Sequence, residues 1–368
     1  MPPLPPFHCP APPEPWPTPP AELADEALLF DAEHNPDPLS SAQAGLVDCV
    51  ADLSPRLRQW VCRRYLYYAQ LLGTGTANKD LPIQSLHARF QDEIRPQCEA
   101  LLGPLEARLV AKDGALRPEL LVEPQRATIA VAEALHVYRG VYERYVEKLG
   151  PALRKARQHL DQLLRQNLGE SLNAHGALLA GATAAEVERL QALYELGESL
   201  PRSADPSTFS VENAQGCPKL RTYLSRYGAY ARCWDVSVPC DDEQVVSLLQ
   251  TAARLYAAGA SPRAQHETAQ APYHLALAAL LDRLPRMARG ALKALLPTVR
   301  SALSIAEDDD LLFFRAQRVT RWALLSLGGK LVESGRIASA DQIFELPLSL
   351  VQALDGNAQA ATDLDLTQ

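Results

Sequence analysis

Apolar residues recur every three or four positions through most of this chain, which is the spacing of amphipathic α-helices. The pattern is clearest in the stretch from Leu311 to Leu354. Its first part predicts a helix that ends at Gly335, because glycine readily adopts the left-handed conformation that closes many helices. The same periodicity predicts further helices over residues 42–72, 84–110, 126–149, 153–168, 183–200, 242–258, 266–284 and 286–305.

The residues after Gly335 follow a different pattern. Asp341 suits the N-terminal turn of the segment that follows. Ile343, Phe344 and Leu346 predict a brief, buried extended piece. Pro347 then predicts the start of a final short helix, because proline fits the first helical position.

An acidic run interrupts the apolar pattern at residues 306–310, which read Ala-Glu-Asp-Asp-Asp. It predicts a solvated turn between helix 286–305 and the helix that starts at Leu311. Consecutive carboxylates are also suited to magnesium, which prefers oxygen ligands, or to the N-terminus of a helix. Those two alternatives stay open.

Together these segments predict an all-α fold, a multi-helix body of antiparallel hairpins resembling a bundle. Residues 25–210 would form an N-terminal helical subdomain and residues 211–354 a C-terminal one. Eleven of the first twenty residues are prolines. Because proline fits neither a helix interior nor a strand ladder, residues 1–24 are expected to form a disordered tail. Residues 355–368 are expected to form a polar tail.

Charge and composition narrow the functional classes. The net charge of -8 over 368 residues argues against unaided nucleic-acid binding, which needs a basic face. No apolar run is long enough to span a membrane, and no secretory signal is recognisable at the N-terminus. The seven cysteines are scattered without metal-ligand spacing. We therefore expect a cytoplasmic protein with reduced, mostly buried thiols.

The first candidate chemistry lies in the stretch Phe30–Ser40. Asp31 and His34 precede two prolines that force an extended path, and Ser40 or Ser41 is expected to cap the helix that follows. His34 could contact a substrate, although a structural or surface role is the commoner one for a single histidine.

A second candidate is a stripe of tyrosines on the helix predicted over residues 126–149. Tyr138, Tyr142 and Tyr145 share one face of that helix. They could line a cavity for an apolar ligand, and packing in the core is the alternative.

The second half carries two more patterned stretches. Tyr223 and Gly228 end a helix, and Trp234, Asp235 and Glu243 follow, with Asp235 suited to fixing a loop. The last stretch combines an arginine, two glycines, an aspartate and a phenylalanine at an unusual spacing: Arg321, Gly328, Leu331, Gly335, Ile337, Asp341, Ile343, Phe344 and Leu346.

These two stretches and Phe30–Ser40 resemble the central helical domain of phosphoenolpyruvate synthase-like enzymes, a group related to pyruvate phosphate dikinase that includes rifampicin phosphotransferase. Those enzymes also contain an ATP-grasp domain and a phosphohistidine domain. Neither is recognisable in this chain, and His175 lacks the glycine pair expected before a phosphate-carrying histidine.

The resemblance implies that this chain is a stand-alone acceptor-binding subunit of a split phosphotransferase. The chain itself would bind no cofactor, and separate ATP-grasp and phosphohistidine proteins would supply ATP and Mg²⁺. It would be at most one component of a kinase-like enzyme that acts on a small-molecule hydroxyl. The expected contacts are Asp31, His34, Tyr138, Tyr142, Tyr145, Glu307, Arg315 and Arg321.

The alternative is a non-catalytic helical scaffold derived from the same family. Two departures from the family pattern favour it. Ala229 and Tyr230 stand where the family has a His-Arg pair, and Ala306 replaces the arginine that normally precedes Glu307.

Overall fold

The computed structural model describes residues 27–31, 34–53, 57–70, 86–109, 124–148, 150–182, 185–201 and 217–351. Helices dominate this part of the chain, so the predicted all-α class is confirmed. The two predicted tails, 1–24 and 355–368, lie outside the described residues. None of the described helices is both long and apolar enough to cross a membrane.

The elements follow one another in a simple order. They are β1 (Ala27–Phe30), α1 (Ser41–Val50), a 3₁₀ turn (Ala51–Leu53), β2 (Leu57–Cys62), β3 (Tyr65–Gln70), α2 (Leu86–Arg89), a π-helical turn (Phe90–Ile94), α3 (Arg95–Leu109), α4 (Pro124–Lys148), α5 (Gly150–Leu168), a 3₁₀-helix (Leu172–Leu178), α6 (Ala185–Ser199), α7 (Pro218–Tyr227), α8 (Val245–Ala257), α9 (Pro262–Arg283), α10 (Arg286–Glu333) and a last 3₁₀-helix (Ala340–Glu345).

Helix α10 is the central element, with 48 residues and a length of about 70 Å at 1.5 Å per residue. Its C-terminal half packs on α3 and α4, and its N-terminal half packs on α5 and α9. The predicted turn at residues 306–310 is therefore wrong. Ile305 and Leu312 are both buried and lie seven residues apart, so one apolar face continues through the acidic run.

The chain between residues 57 and 70 corrects a second prediction. The expected helix over residues 42–72 ends at Val50, and a small antiparallel sheet in the order β1-β3-β2 follows. Trp60 pairs with Tyr67 across the hairpin, in a run of aromatic and β-branched residues that favours strands. The apolar residues of this run also recur at four-residue spacing, which is why the sequence alone predicts a helix here.

The hairpin turns at Arg63 and Arg64, which have left-handed φ angles of 51° and 69°. Such a turn usually contains asparagine and glycine, and the side chains here add strain. Arg64 compensates through two contacts with Leu39, whose N–H donates to the Arg64 carbonyl (2.6 Å) and whose carbonyl accepts from Arg64 Nε (2.5 Å).

The end of α10 agrees with the prediction. Gly335 has a φ of 72°, its N–H donates to the Val332 carbonyl, and the N–H of Arg336 donates to the Leu331 carbonyl. This paired arrangement closes the helix. The N–H of Val351 donates to the Pro347 carbonyl, as the predicted final helical turn requires.

The predicted extended piece at Ile343 and Phe344 is wrong, because both residues lie in the 3₁₀-helix Ala340–Glu345. Ser339 and Gln342 form a reciprocal capping box, which starts a helical turn instead of a strand. Both apolar side chains are nevertheless buried, so their predicted burial is confirmed.

The largest apolar cluster combines α1, α3 and α4 with the C-terminal half of α10 and its following 3₁₀-helix. A second cluster joins α5 and α9 to the N-terminal half of α10, and a third joins α6, α7 and α8. The division of the chain at residue 210 stays a prediction.

Two adjacent glycines of α10 offer a test of this packing. A Cβ at Gly328 would press on the Ala340 carbonyl, whereas a Cβ at Gly329 would meet nothing within 4 Å. We expect Gly328→Ala to lower the free energy of unfolding by ~1–3 kcal/mol through overpacking. Gly329→Ala should raise it by up to ~1 kcal/mol, because alanine is the better helix former. Urea denaturation of both variants measures this, and equal effects would contradict the packing described.

Candidate functional site

Residues 34–43 and 228–243 lie side by side, joined by the carboxylate of Asp235. Ser40 donates its backbone N–H to Asp235 Oδ2 (2.6 Å) and its hydroxyl to Oδ1 (2.7 Å), across 195 residues of sequence. The backbone N–H of Ser237 also donates to Oδ1 (2.8 Å). The predicted role of Asp235 in fixing a loop is confirmed, because three donors stabilise this buried carboxylate.

Asp31 and His34 form a pair at the edge of this joint. Asp31 is 4% exposed; its Oδ1 lies 2.8 Å from His34 Nδ1 and its Oδ2 accepts from Asn35 Nδ2 (2.9 Å). The imidazole packs on the indole of Trp234, with ring centres 4.2 Å apart, and the side chain of His34 is 29% exposed. A carboxylate that holds Nδ1 orients the ring and, in the neutral form, fixes the proton on that nitrogen.

Gln43 connects the joint to the tyrosines of α4. Its Oε1 accepts from the Val236 N–H (3.1 Å), and its side chain hydrogen-bonds to Tyr138. Burial raises the pKa of Tyr138 to about 12. Tyr142 is buried beside Phe313, with ring centres 5.8 Å apart. Both tyrosines pack in the main core.

The arginines of α10 bind carboxylates of this chain. Arg315 donates from Nε and Nη2 to the two carboxylate oxygens of Glu106 (3.0 and 2.6 Å). Arg318 lies between Glu106 (2.8 Å) and Asp242 (2.9 Å). Burial alone would raise the pKa of Glu106, but hydrogen bonds and charge from Arg315 and Arg318 bring it below its ordinary value.

The guanidinium of Arg321 makes hydrogen bonds and a contact with an aromatic ring. Its Nε donates to the Glu243 carboxylate (2.9 Å), and its Nη1 donates to the carbonyls of Val236 (3.0 Å) and Ser237 (2.8 Å). Its guanidinium lies 4.9 Å from the centre of the Phe344 ring. Arg321 therefore ties the 228–243 loop to α10, a structural role that its contacts fully explain.

A group of possible metal ligands lies in the same loop. Donor atoms of Cys240, Asp242 and Glu243 lie within 4.8 Å of one another. The guanidinium groups of Arg318 and Arg321 already contact the two carboxyl groups, each at 2.9 Å. Burial, with the nearby negative charge of Asp242 and Glu243, raises the pKa of the Cys240 thiol, which disfavours the thiolate that a metal would need. The group is better described as part of an ion-pair network.

The joint is closely packed beside Arg321. The internal gap beside Arg321 has no room for a water molecule; its lining includes Ala229, Ala231, Val238, Phe314 and Gln317. The ring of His34, in contrast, is partly exposed.

The structure separates the predicted site residues into groups. Asp31 and His34 lie together at the edge, Tyr138 and Tyr142 lie in the core, and Arg315 and Arg321 form internal ion pairs. The side chains of Tyr145 and Glu307 lie outside the described residues. The sequence alone gave no site role to Trp234. It also gave none to Arg318, although Arg318 lies three residues from both Arg315 and Arg321 and therefore on the same face of the helix.

No family model matches the chain, and no curated protein shows significant similarity to it. The resemblance to phosphoenolpyruvate synthase-like enzymes therefore stays a hypothesis based on the residues described above.

Two aspartates that join the same segments provide a matched test of the joint. Asp235→Asn loses the charge that Ser40 and Ser237 stabilise, and we expect it to cost ~2–3 kcal/mol of unfolding free energy. Asp37 forms an exposed ion pair with Arg232 over the same sequence separation. Asp37→Asn should cost less than ~1 kcal/mol. Denaturant titration compares the two variants. Equal losses of unfolding free energy would contradict the larger contribution that we assign to the buried carboxylate.

The protonation of Asp242 provides a pH test. Burial raises its pKa to about 7, with Glu243 and Asp241 adding to the effect and Arg318 opposing it. The folded state then holds a proton that the unfolded state has lost, so this group lowers stability as pH rises from about 4 to about 7.

An asparagine at position 242 cannot ionise, so the Asp242→Asn variant lacks this fall in stability with pH. We therefore expect the stability of the variant relative to the natural chain to improve by at least ~1 kcal/mol between pH 4.5 and pH 8. Comparing the same two proteins at both pH values cancels the pH-independent cost of the substitution. A difference that does not change with pH would contradict a raised pKa.

Proposed function

We propose that this chain is the acceptor-binding subunit of a split, phosphoenolpyruvate synthase-like phosphotransferase. The observation that carries the proposal is the meeting of its three family-like stretches. Residues 34–40, 228–243 and 321–344 are far apart in sequence, yet the contacts of Asp235, Arg321 and their partners join them into one network.

The outer edge of this network is where an acceptor would bind. His34 is held by Asp31 and packs on Trp234. An oriented imidazole can exchange a hydrogen bond with a hydroxyl, and an indole offers an apolar face to the rest of a small molecule. ATP, Mg²⁺ and the transferable phosphoryl group would come from separate ATP-grasp and phosphohistidine proteins in the cytoplasm. This chain alone would not complete the reaction.

A second candidate is a non-catalytic helical scaffold of the same origin. Its support is specific: Arg315, Arg318 and Arg321 are neutralised by carboxylates of this chain. Tyr230, which stands where the family has an arginine, packs on Phe314 with ring centres 4.8 Å apart. The absence of the expected extended piece at residues 343–346 also weakens the resemblance.

Affinity purification of the tagged chain from its source cells distinguishes the candidates. The first predicts co-purification of ATP-grasp and phosphohistidine proteins, and ATP consumption when the three are mixed with the cell's small-molecule extract. Failure to recover either protein, or recovery without ATP consumption, would favour the scaffold.

The reconstituted mixture then tests the site. His34→Asn should raise the KM for the acceptor by ~10-fold or more, because a buried hydrogen bond is lost. His175→Asn is the matched control, since His175 also pairs with a carboxylate, that of Glu170 (2.7 Å). Equal KM changes in the two variants would remove His34 from the site.

A further inference from the structure

One face of the small sheet β1-β3-β2 packs on the helical body. Leu66 of β3 is buried together with Leu39 and with Val47 of α1. Side chains alternate between the two faces along a strand. Tyr65 and Tyr67, the two neighbours of Leu66, therefore lie on the other face of the sheet.

That other face carries an aromatic patch, which consists of Phe30, Trp60, Tyr65 and Tyr67. Phe30 and Trp60 are the cross-strand partners of Tyr67, and their ring centres lie 5.7 and 5.5 Å from its own. The ring centres of Phe30 and Tyr65 lie 5.9 Å apart. Phe30, Trp60 and Tyr65 are partly exposed, and the four apolar clusters in the described part of the chain include none of the patch residues.

The proline-rich segment comes shortly before this sheet in the sequence, and it lies outside the described residues. Seven of the eleven residues 10–20 are prolines. Such a composition favours the polyproline II helix, which has about three residues per turn. At that spacing one side of the helix would carry Pro10, Pro13, Trp16 and Pro19. Aromatic-lined surfaces are the sites at which several interaction domains bind polyproline II segments.

The charges of the two segments are complementary. Residues 1–26 include four acidic residues and neither lysine nor arginine, whereas residues 57–70 include three arginines and no acidic residue. Arg63 and Arg64 are exposed at the hairpin turn, where Arg64 also lies 3.5 Å from Glu345. Opposite charge on the two segments favours their association.

We propose that the aromatic patch of the sheet binds residues 10–20 of the same chain as a polyproline II helix. The proline rings and Trp16 would pack on the partly exposed aromatic rings, and the acidic residues of the segment would face the arginines of the hairpin. Such binding also accounts for the burial of Tyr67, which is 1% exposed although its ring neighbours Phe30 and Trp60 are themselves partly exposed.

The length of the connection allows this arrangement. Residues 21–26 join the proline-rich segment to β1 and can span up to ~20 Å, whereas the four residues of β1 cover ~13 Å, so the chain can turn back over the sheet. A connection this short gives a millimolar effective concentration, which favours binding within one chain over binding to a second copy. The proposal does not depend on the phosphotransferase proposal, and either can fail alone.

Cys62 reports on the patch, because it pairs with Tyr65 across the hairpin and is partly exposed. Alkylation of the full chain with iodoacetamide, followed by peptide mass spectrometry, measures the reaction rate of each cysteine. The test variant is Pro12→Ala/Pro13→Ala/Pro15→Ala/Pro17→Ala. We expect Cys62 to react at least ~5-fold faster in this variant, because a millimolar effective concentration keeps even a weak ligand mostly bound in the natural chain. The rate of Cys217, a partly exposed cysteine before α7, should not change.

The matched control changes four prolines nearer the N-terminus, Pro2→Ala/Pro3→Ala/Pro5→Ala/Pro6→Ala, and should leave the Cys62 rate unchanged. Circular dichroism checks the folding of both variants. Equal Cys62 rates in the natural chain and the test variant, or equal acceleration in both variants, would overturn the proposal. So would protection of Cys62 that increases with protein concentration, which would indicate the segment of a second copy. Protection of the test variant by oligouridylate, but not by a synthetic peptide of residues 10–20, would also overturn it and identify a nucleic-acid surface.

Discussion

The buried carboxylate of Asp235 is the interaction on which the rest of the site depends. It accepts three hydrogen bonds from Ser40 and Ser237, and these donors stabilise its charge in the interior. Ser40 is at the same time the N-cap of α1, accepting from the Gln43 N–H (3.1 Å). One carboxylate therefore fixes the start of a helix, the course of a distant loop and, through Trp234, the position of His34.

The ion pairs of α10 complete this arrangement from the other side. Arg315, Arg318 and Arg321 point the basic face of the helix at carboxylates from α3 and from the 228–243 loop. Burying these charges is tolerable because each has an opposite partner and hydrogen bonds. These arginines therefore have a structural role. The candidate for contact with a ligand is the partly exposed His34.

Much of the fold could be predicted from sequence because helical periodicity and caps are local signals. Gly335 and Ser40 took the capping roles that their residue types favour. The misassigned hairpin shows the limit, because the apolar residues of 57–70 fit both a helical and a strand period. The predicted turn at 306–310 failed because packing of buried residues on both sides outweighed the weak helix preference of aspartate. The roles of the arginines were unreadable, because their partners lie 76 to 212 residues away.

Native-state hydrogen exchange tests the central claim most directly. The N–H groups of Ser40, Trp234 and Val236 donate to Asp235, to the His34 carbonyl and to Gln43. If these bonds form one cooperative unit, all three amides exchange with the same opening free energy, close to that of global unfolding. Exchange of these amides at clearly different free energies, or as fast as that of surface loops, would contradict the account.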